Sequence, residues 1–189
     1  MEIKDVFGNL PTLETKRLLL RKFEMSDVED LYEYASDKRI DKFVPWSAHA
    51  NKQETIDYIT LKIQKYNEGA LSSWAIVYKE ENKVIGSIDF GKWDIKSNCA
   101  AIGYVVNCNY WNRGIATEAL REVIKFGFEN MELHRIQMEH VKENIASEKV
   151  ILKNGLKYEG LLRDAAFYKG KYYDKKIYSI LREEYKEIQ

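Results

Sequence analysis

Apolar residues along the chain recur with two periods, and the switches between them mark the elements. Positions 17–23 alternate weakly, are rich in Leu, and read as a first strand. Ser26-Asp27-Val28-Glu29 then has the form of a capping box, with Val28, Leu31, Tyr32 and Ala35 following at helical spacing. Asn51 and Glu54 announce a second helix, whose apolar face is Ile56, Ile59, Ile63 and Tyr66 and whose end is Gly69. From Trp74 the period becomes two. Segments 74–78 and 84–90, joined by the polar run 79–83, predict a β-hairpin, and a polar turn at 94–98 leads into a strand at 100–106. After Gly114 the period lengthens again, placing Ile115, Ala119, Leu120, Val123, Ile124 and Gly127 on one stripe and Glu118, Arg121, Glu122 and Lys125 on the other. A strand at 135–141, a short helix at 144–154 closed by Gly155, and a last hairpin of 156–167 and 172–181 around Lys169-Gly170-Lys171 complete the pattern. The order β-α-α-β-β-β-α-β-α-β-β describes an α/β chain of the α+β kind, a mixed seven-stranded sheet with helices on both faces.

One junction carries chemistry. The run Tyr110-Trp111-Asn112-Arg113-Gly114-Ile115-Ala116-Thr117 links the strand at 100–106 to the helix after it. Small residues at 114 and 116 let the backbone turn tightly and approach a ligand. The helix that starts there offers unpaired N–H groups and a positive dipole end, which suit a pyrophosphate. The same run also fits a plain strand–turn–helix connection. Gly114 is followed by Ile115 and Ala116 rather than Lys-Ser/Thr, which excludes a Walker loop, and the glycine spacing of a dinucleotide fingerprint is only partly present. A second strand–helix junction carries Asn144-Ile145-Ala146-Ser147. Asn144 there reads as a helix cap, or as a group beside the first junction in a cleft between splayed strand ends.

Composition narrows the class further. The 189 residues suit one domain spanning 1–189, since domains commonly hold roughly 100–200 residues. Thirty basic residues balance thirty acidic ones, which removes the electrostatic case for nucleic acid or an anionic membrane. No apolar run approaches the ~20 residues that span a bilayer, and residues 1–11 lack the apolar core of a signal peptide. Cys99 and Cys108 have no metal-ligand spacing. A cytoplasmic protein with reduced thiols and no metal is expected.

Taken together, Ile102-Gly103-Tyr104, the run from Tyr110 to Leu120, Leu133-His134-Arg135-Ile136, Asn144-x-x-Ser147 and Lys153-Asn154-Gly155-Leu156-x-x-Glu159-Gly160 resemble the GNAT N-acetyltransferases. More narrowly they look like the branch containing the ribosomal-protein serine and alanine N-terminal acetyltransferases. The resemblance spans residues 14–185. It implies the acyl-CoA N-acyltransferase fold, a mostly antiparallel sheet with splayed central strands, and acetyl-CoA as co-substrate. It also implies where the cofactor lies: the pyrophosphate on backbone amides of Asn112, Arg113, Gly114, Ile115, Ala116 and Thr117, and the pantetheine arm along Tyr104, Val105 and Val106 with Asn144 beside it. A homodimer is an assembly known in the superfamily, although no residue pattern here places an interface.

In such an enzyme a neutral amine attacks the acetyl carbonyl, a backbone N–H stabilises the oxyanion, and the thiolate takes a proton. Val105 is the candidate oxyanion donor. Ser147 is the candidate proton donor, because the Tyr that many relatives use falls at Ile151 here. The chain departs from the family pattern at its base: relatives carry an acid just before Ile-Gly-Tyr, where it has Ala101, or just past that strand, where it has Asn107-Cys108-Asn109. His140, four residues before Asn144, is the candidate substitute, with Glu139 next and packing as its alternative role. Phe43-Val44-Pro45-Trp46, Tyr168, Tyr172 and Tyr173 are candidates to line the acceptor pocket, and Asp41 or Asp164 to hold a cationic amine; ordinary packing and solvation account for them equally well. Three functions stay open. The acceptor is a protein N-terminus, or a small amine such as an amino acid, polyamine or aminoglycoside, or the chain binds acetyl-CoA without catalysis.

Overall fold

The computed structural model describes residues 2–188. One mixed sheet runs through the molecule, with strands β1 (Leu13–Glu14), β2 (Leu18–Arg21), β3 (Ser73–Tyr78), β4 (Lys83–Asp94), β5 (Cys99–Val106), β6 (Arg135–Val141), β7 (Lys157–Tyr168) and β8 (Lys171–Leu181) in the spatial order β1-β2-β3-β4-β5-β6-β8-β7. Among the described residues the sheet therefore has eight strands, not seven: β1 is a two-residue strand pairing Leu13 with Leu20, too short to leave a period in the sequence. Helices α1 (Ile3–Phe7), α2 (Val28–Ala35), α3 (Lys52–Glu68), α4 (Ile115–Glu129), α5 (Ile145–Lys153) and α6 (Arg182–Ile188) accompany it. The short terminal helices α1 and α6 were not expected, since each is barely two turns long. The sequence pattern ends this strand at residue 90, yet β4 continues through a bulge at Gly91 to Asp94, with Trp93 beyond it buried.

The helix boundaries follow the chemistry of their caps. Asn51 Oδ1 accepts from the Glu54 N–H at 3.2 Å, and Gly69 closes α3 at φ 64°. Ahead of α2 the capping box belongs to a 3-10 turn at Met25–Asp27, where Asp27 Oδ2 accepts from the Glu24 N–H at 2.8 Å, and α2 itself is capped at Asp27, one residue later than the Ser26 that the sequence suggests. Asp27 is preferred because it also forms a two-pronged ion pair with Arg21.

The core lies mainly between the sheet and α4. Ala119, Leu120 and Val123 are fully buried, and Phe126 meets Trp74 edge-on at 5.6 Å between ring centres. Helices α2 and α3 cover the opposite face of the sheet, where the Tyr66 hydroxyl donates to Ser73 O at 2.6 Å.

Two features of the sheet set the shape of the region around β5. Strands β5 and β6 form the parallel pair among otherwise antiparallel neighbours, and they pair only at Cys99–Arg135, Ala100–Ile136 and Ala101–Gln137 before parting. On the other side of β5, β4 approaches so closely that a Cβ on Gly86 would lie 2.3 Å from Val105 O. Gly86→Ala is therefore expected to push β5 outward and to destabilise the fold by about 1–3 kcal/mol, read as a lower urea midpoint.

Acid stability has a specific source. The Arg135 guanidinium holds the Glu159 carboxyl down at about 2, burial opposing and Ser179 Oγ assisting. An unfolded Glu titrates near ~4.3. The stabilisation is therefore complete above that pH and is lost as pH falls toward about 2. Glu159→Gln should flatten the loss of stability with falling pH across that window, measured by denaturant midpoints.

Candidate active site

Where β5 and β6 part, the gap is lined by backbone. The Asn107 N–H donates to Ile85 O, and Val106 lies opposite Gly86 in register. Antiparallel pairs alternate between exchanging two hydrogen bonds and none. Val105 accordingly exchanges its bonds with Ser87, while Tyr104 and Val106 turn their N–H and C=O groups into the gap. This corrects the expectation for Val105, whose N–H points into the sheet and cannot serve an oxyanion. The parity of one residue decides it. Of the groups facing the gap, Val106 O already accepts the Trp111 indole N–H at 2.8 Å.

The α4 N-terminus closes one side of the gap. Asn112 and Gly114 both adopt positive φ, 60° and 76°, folding the turn back so that α4 starts at Ile115 with its first amides unpaired within the helix. The turn is held from a distance. Glu118, in the first turn of α4, accepts from Thr15 Oγ1 at 2.6 Å, the Arg17 N–H at 2.9 Å and Arg17 Nε at 2.7 Å, while Arg17 Nη1 donates to Arg113 O at 2.9 Å. Burial alone would raise the Glu118 carboxyl, but these donors outweigh it and hold it below the usual range.

Helix α5 closes the other side. Asn144 Oδ1 caps it, accepting from the Ser147 N–H at 3.2 Å, as expected of a cap; Asn144 also faces the cavity. The Tyr104 hydroxyl donates to Ser147 Oγ at 3.2 Å across the gap. Burial raises the Tyr104 phenol above its usual range, opposed by that hydrogen bond, so it stays protonated at neutral pH.

Between these walls lies a cavity of about 550 Å³. It brings together Tyr104, Val105, Val106, Asn112, Gly114, Ile115, Ala116, Thr117, Asn144 and Ser147, all expected from the sequence. Arg113 is not among them: its guanidinium lies over the Tyr78 and Tyr110 rings at 5.0 and 4.9 Å, so only its backbone shapes the turn. Phe43 and Val44 reach the cavity, whereas Trp46 packs beside His49. Tyr168 stacks on Tyr173 at 4.4 Å and Tyr172 is exposed beside Phe167, all outside the cavity lining.

His140 lies elsewhere. It is buried on the α5 side of the sheet, stacked on Tyr178 at 5.4 Å, with Nδ1 2.7 Å from Val141 O and Nε2 without a partner among the described residues. Burial lowers its pKa, so it is neutral at pH 7. It does not line the cavity, and Glu139 on the opposite face is paired with Lys175.

Arg39 and Lys149 line the cavity unforeseen. Lys149 and Lys153 stand four apart on α5, a spacing that could have been read as one cationic stripe. Arg39, which donates to Asn109 Oδ1 at 3.2 Å, comes from 70 positions away and left no local signal. The cavity thus combines free helix-terminal amides for an anion, two strand amides for an extended polar chain, and a hydroxyl pair at the parting strands.

Residues 17–157 match the acetyltransferase (GNAT) domain family. The chain belongs to the GNAT acetyltransferases. It is 34% identical over 176 residues to the uncharacterised N-acetyltransferase p20 of Bacillus licheniformis, covering 93% of this chain and 99% of that one. A GNAT-family acetyltransferase from Bacillus anthracis superposes with a TM-score of 0.82 at 32% identity, covering 92% of this chain and 99% of that chain. The ribosomal-protein-serine acetyltransferase of Escherichia coli is 31% identical over 104 residues, 55% of this chain and 58% of that one. The GNAT fold, a mixed sheet with parting central strands, is thereby shown, and with it an acetyl-CoA-dependent N-acetyltransferase.

Two variants probe this GNAT site. Glu118→Gln should loosen the turn and raise the dissociation constant for acetyl-CoA about tenfold, ~1.4 kcal/mol by calorimetry, with the circular dichroism spectrum unchanged. His140→Gln should leave the pH profile of kcat unchanged.

Proposed function

We propose that this enzyme acetylates the N-terminal amine of a protein, with acetyl-CoA seated in the cavity between β5, α4 and α5. The observation that carries the reading is the parting of β5 from β6 directly beside the N-terminus of α4. The amides of Ile115, Ala116 and Thr117 suit the pyrophosphate, and Lys149 and Lys153 add positive charge at that end. The cleft-facing N–H and C=O of Tyr104 and the N–H of Val106 suit the amides of the pantetheine arm. That arm reaches Ser147 with its thioester end.

Chemistry at that end needs three services from the chain. A cleft-facing N–H, of Tyr104 or Val106, stabilises the oxyanion formed when the amine attacks. Ser147 Oγ protonates the departing thiolate. The Tyr104 phenol, kept protonated by burial and hydrogen-bonded to Ser147, replaces the proton that Ser147 gives up. Tyr104 thereby supplies a phenol to a site whose position 151 is an Ile.

For the acceptor, support comes from the E. coli ribosomal-protein-serine acetyltransferase, whose similarity covers just over half of this chain. Acetyl-CoA-dependent thiol release should appear with peptides bearing a free N-terminal Ser or Ala and be weaker with polyamines, amino acids and aminoglycosides. Turnover confined to the small amines would replace the acceptor class. Ser147→Ala should lower kcat by ~10² with little change in the KM for acetyl-CoA, measured by the same assay.

A further inference from the structure

The cavity accounts for the cofactor side of the cleft and leaves the amine without a base. On the other face of the sheet, β4 carries Asp89 directly opposite Gly103 of β5. Gly103 stands two residues past Ala101, the last residue of β5 to pair with β6, so Asp89 lies at the point where the two strands part. Asp89 is otherwise packed in the sheet, but the two glycines beside it leave one side of it free of side chains. A Cβ on Gly103 would lie 3.5 Å from Asp89 Oδ1 and one on Gly91 3.4 Å from the same oxygen, with no other atom within 4 Å of either, and both glycines are exposed. Oδ1 therefore stands in a notch between two side-chain-free positions. Oδ2 is fixed, accepting from Ser73 Oγ at 3.2 Å.

No cation neutralises this carboxylate at contact distance among the described residues. Lys62 of α3 faces it but makes no ion pair with it and lies instead over the Tyr58 ring at 4.9 Å. Lys65 and the Tyr58 hydroxyl of α3 complete the titratable groups that act on it. A half-buried carboxylate with one oxygen held and the other open is costly for a fold to keep without a use.

We propose that Asp89 is the general base of the transfer, taking its proton from an acceptor amine that enters on the α2–α3 face through the notch between Gly91 and Gly103. The proposal rests on the N-acetyltransferase reading of the cleft. The neutral amine's lone pair forms the N–C bond to the acetyl carbon. Asp89 Oδ1 removes a proton from that nitrogen, and the C–S bond breaks with its electron pair going to sulfur. The thiolate takes its proton from Ser147, which regains one through the Tyr104 hydroxyl from water, and Asp89 returns the amine's proton to water. The products are the N-acetyl amide and the free CoA thiol. Base and acid thus stand on opposite faces of the sheet, with the thioester between them. Burial raises the Asp89 carboxyl above its ordinary range, against Lys62, Ser73 and Lys65, which moves it toward the pH at which it must work.

The test is the pH dependence of thiol release by the full chain, with Ser- and Ala-initiated peptides and the small-amine panel as acceptors. Asp89→Asn should lower kcat by ~10²–10⁴, abolish the acid limb of the profile, and leave acetyl-CoA binding by calorimetry unchanged. Asp89→Glu should restore part of the rate. Ser73→Ala, which frees Oδ2 without touching the notch, should move the acid limb to higher pH while keeping turnover, and it serves if Asp89→Asn does not fold. A wild-type rate and profile in Asp89→Asn, or an unmoved limb in Ser73→Ala, overturns the assignment while leaving the transferase reading intact. Acetyl-CoA binding by the wild-type chain without thiol release on any acceptor overturns both.

Discussion

Two parallel strands that pair for three residues and then part leave backbone groups with nothing to bond, and the molecule is organised around that deficit. Unpaired peptide groups inside a protein cost as much as lost hydrogen bonds. A sheet keeps such a gap only when something else satisfies it. Here Trp111 covers one carbonyl of β5, and the proposed function seats the amides of the acetyl-CoA arm on the remaining Tyr104 and Val106 groups. The gap is a ladder half built.

The walls of the gap are held by groups that do not belong to it. Glu118 draws Thr15 and Arg17 from the edge of β2 onto the first turn of α4, and Arg17 in turn anchors the carbonyl of Arg113. This network braces a turn that has two positive-φ residues, Asn112 and Gly114. Asn107 does similar work at the end of β5, accepting from the Asn109 N–H and donating to Glu33 of α2. The segment just past β5 is thereby occupied by a structural cap.

Much of this could be read from the chain before its structure. The helical stripe after Gly114, the small residues of the turn and the Asn144 cap are local signals, and each names its own element. What was illegible depends on parity or on distance. Val105 and Tyr104 look alike in sequence, and only the register with β4 shows which of them faces the gap. His140 sits on a central strand near Asn144, but strand alternation turns it under α5 against Tyr178. Tyr104 and Ser147 meet although 43 positions separate them. Asp89 was hidden for a different reason: in the sequence it is one polar residue in an alternating strand, and only the two bare glycines beside it give it meaning.

The rim of the cleft has a consequence for how the chain acquires its function. Lys169, in the turn between β7 and β8, donates to Asp41 O across 128 positions, and Glu118 meets Arg17 across 101. Closing loops of that length costs entropy that only late contacts repay. The hairpins and α4 can form early from neighbouring residues, whereas the cleft becomes whole only when both ends of the chain have arrived.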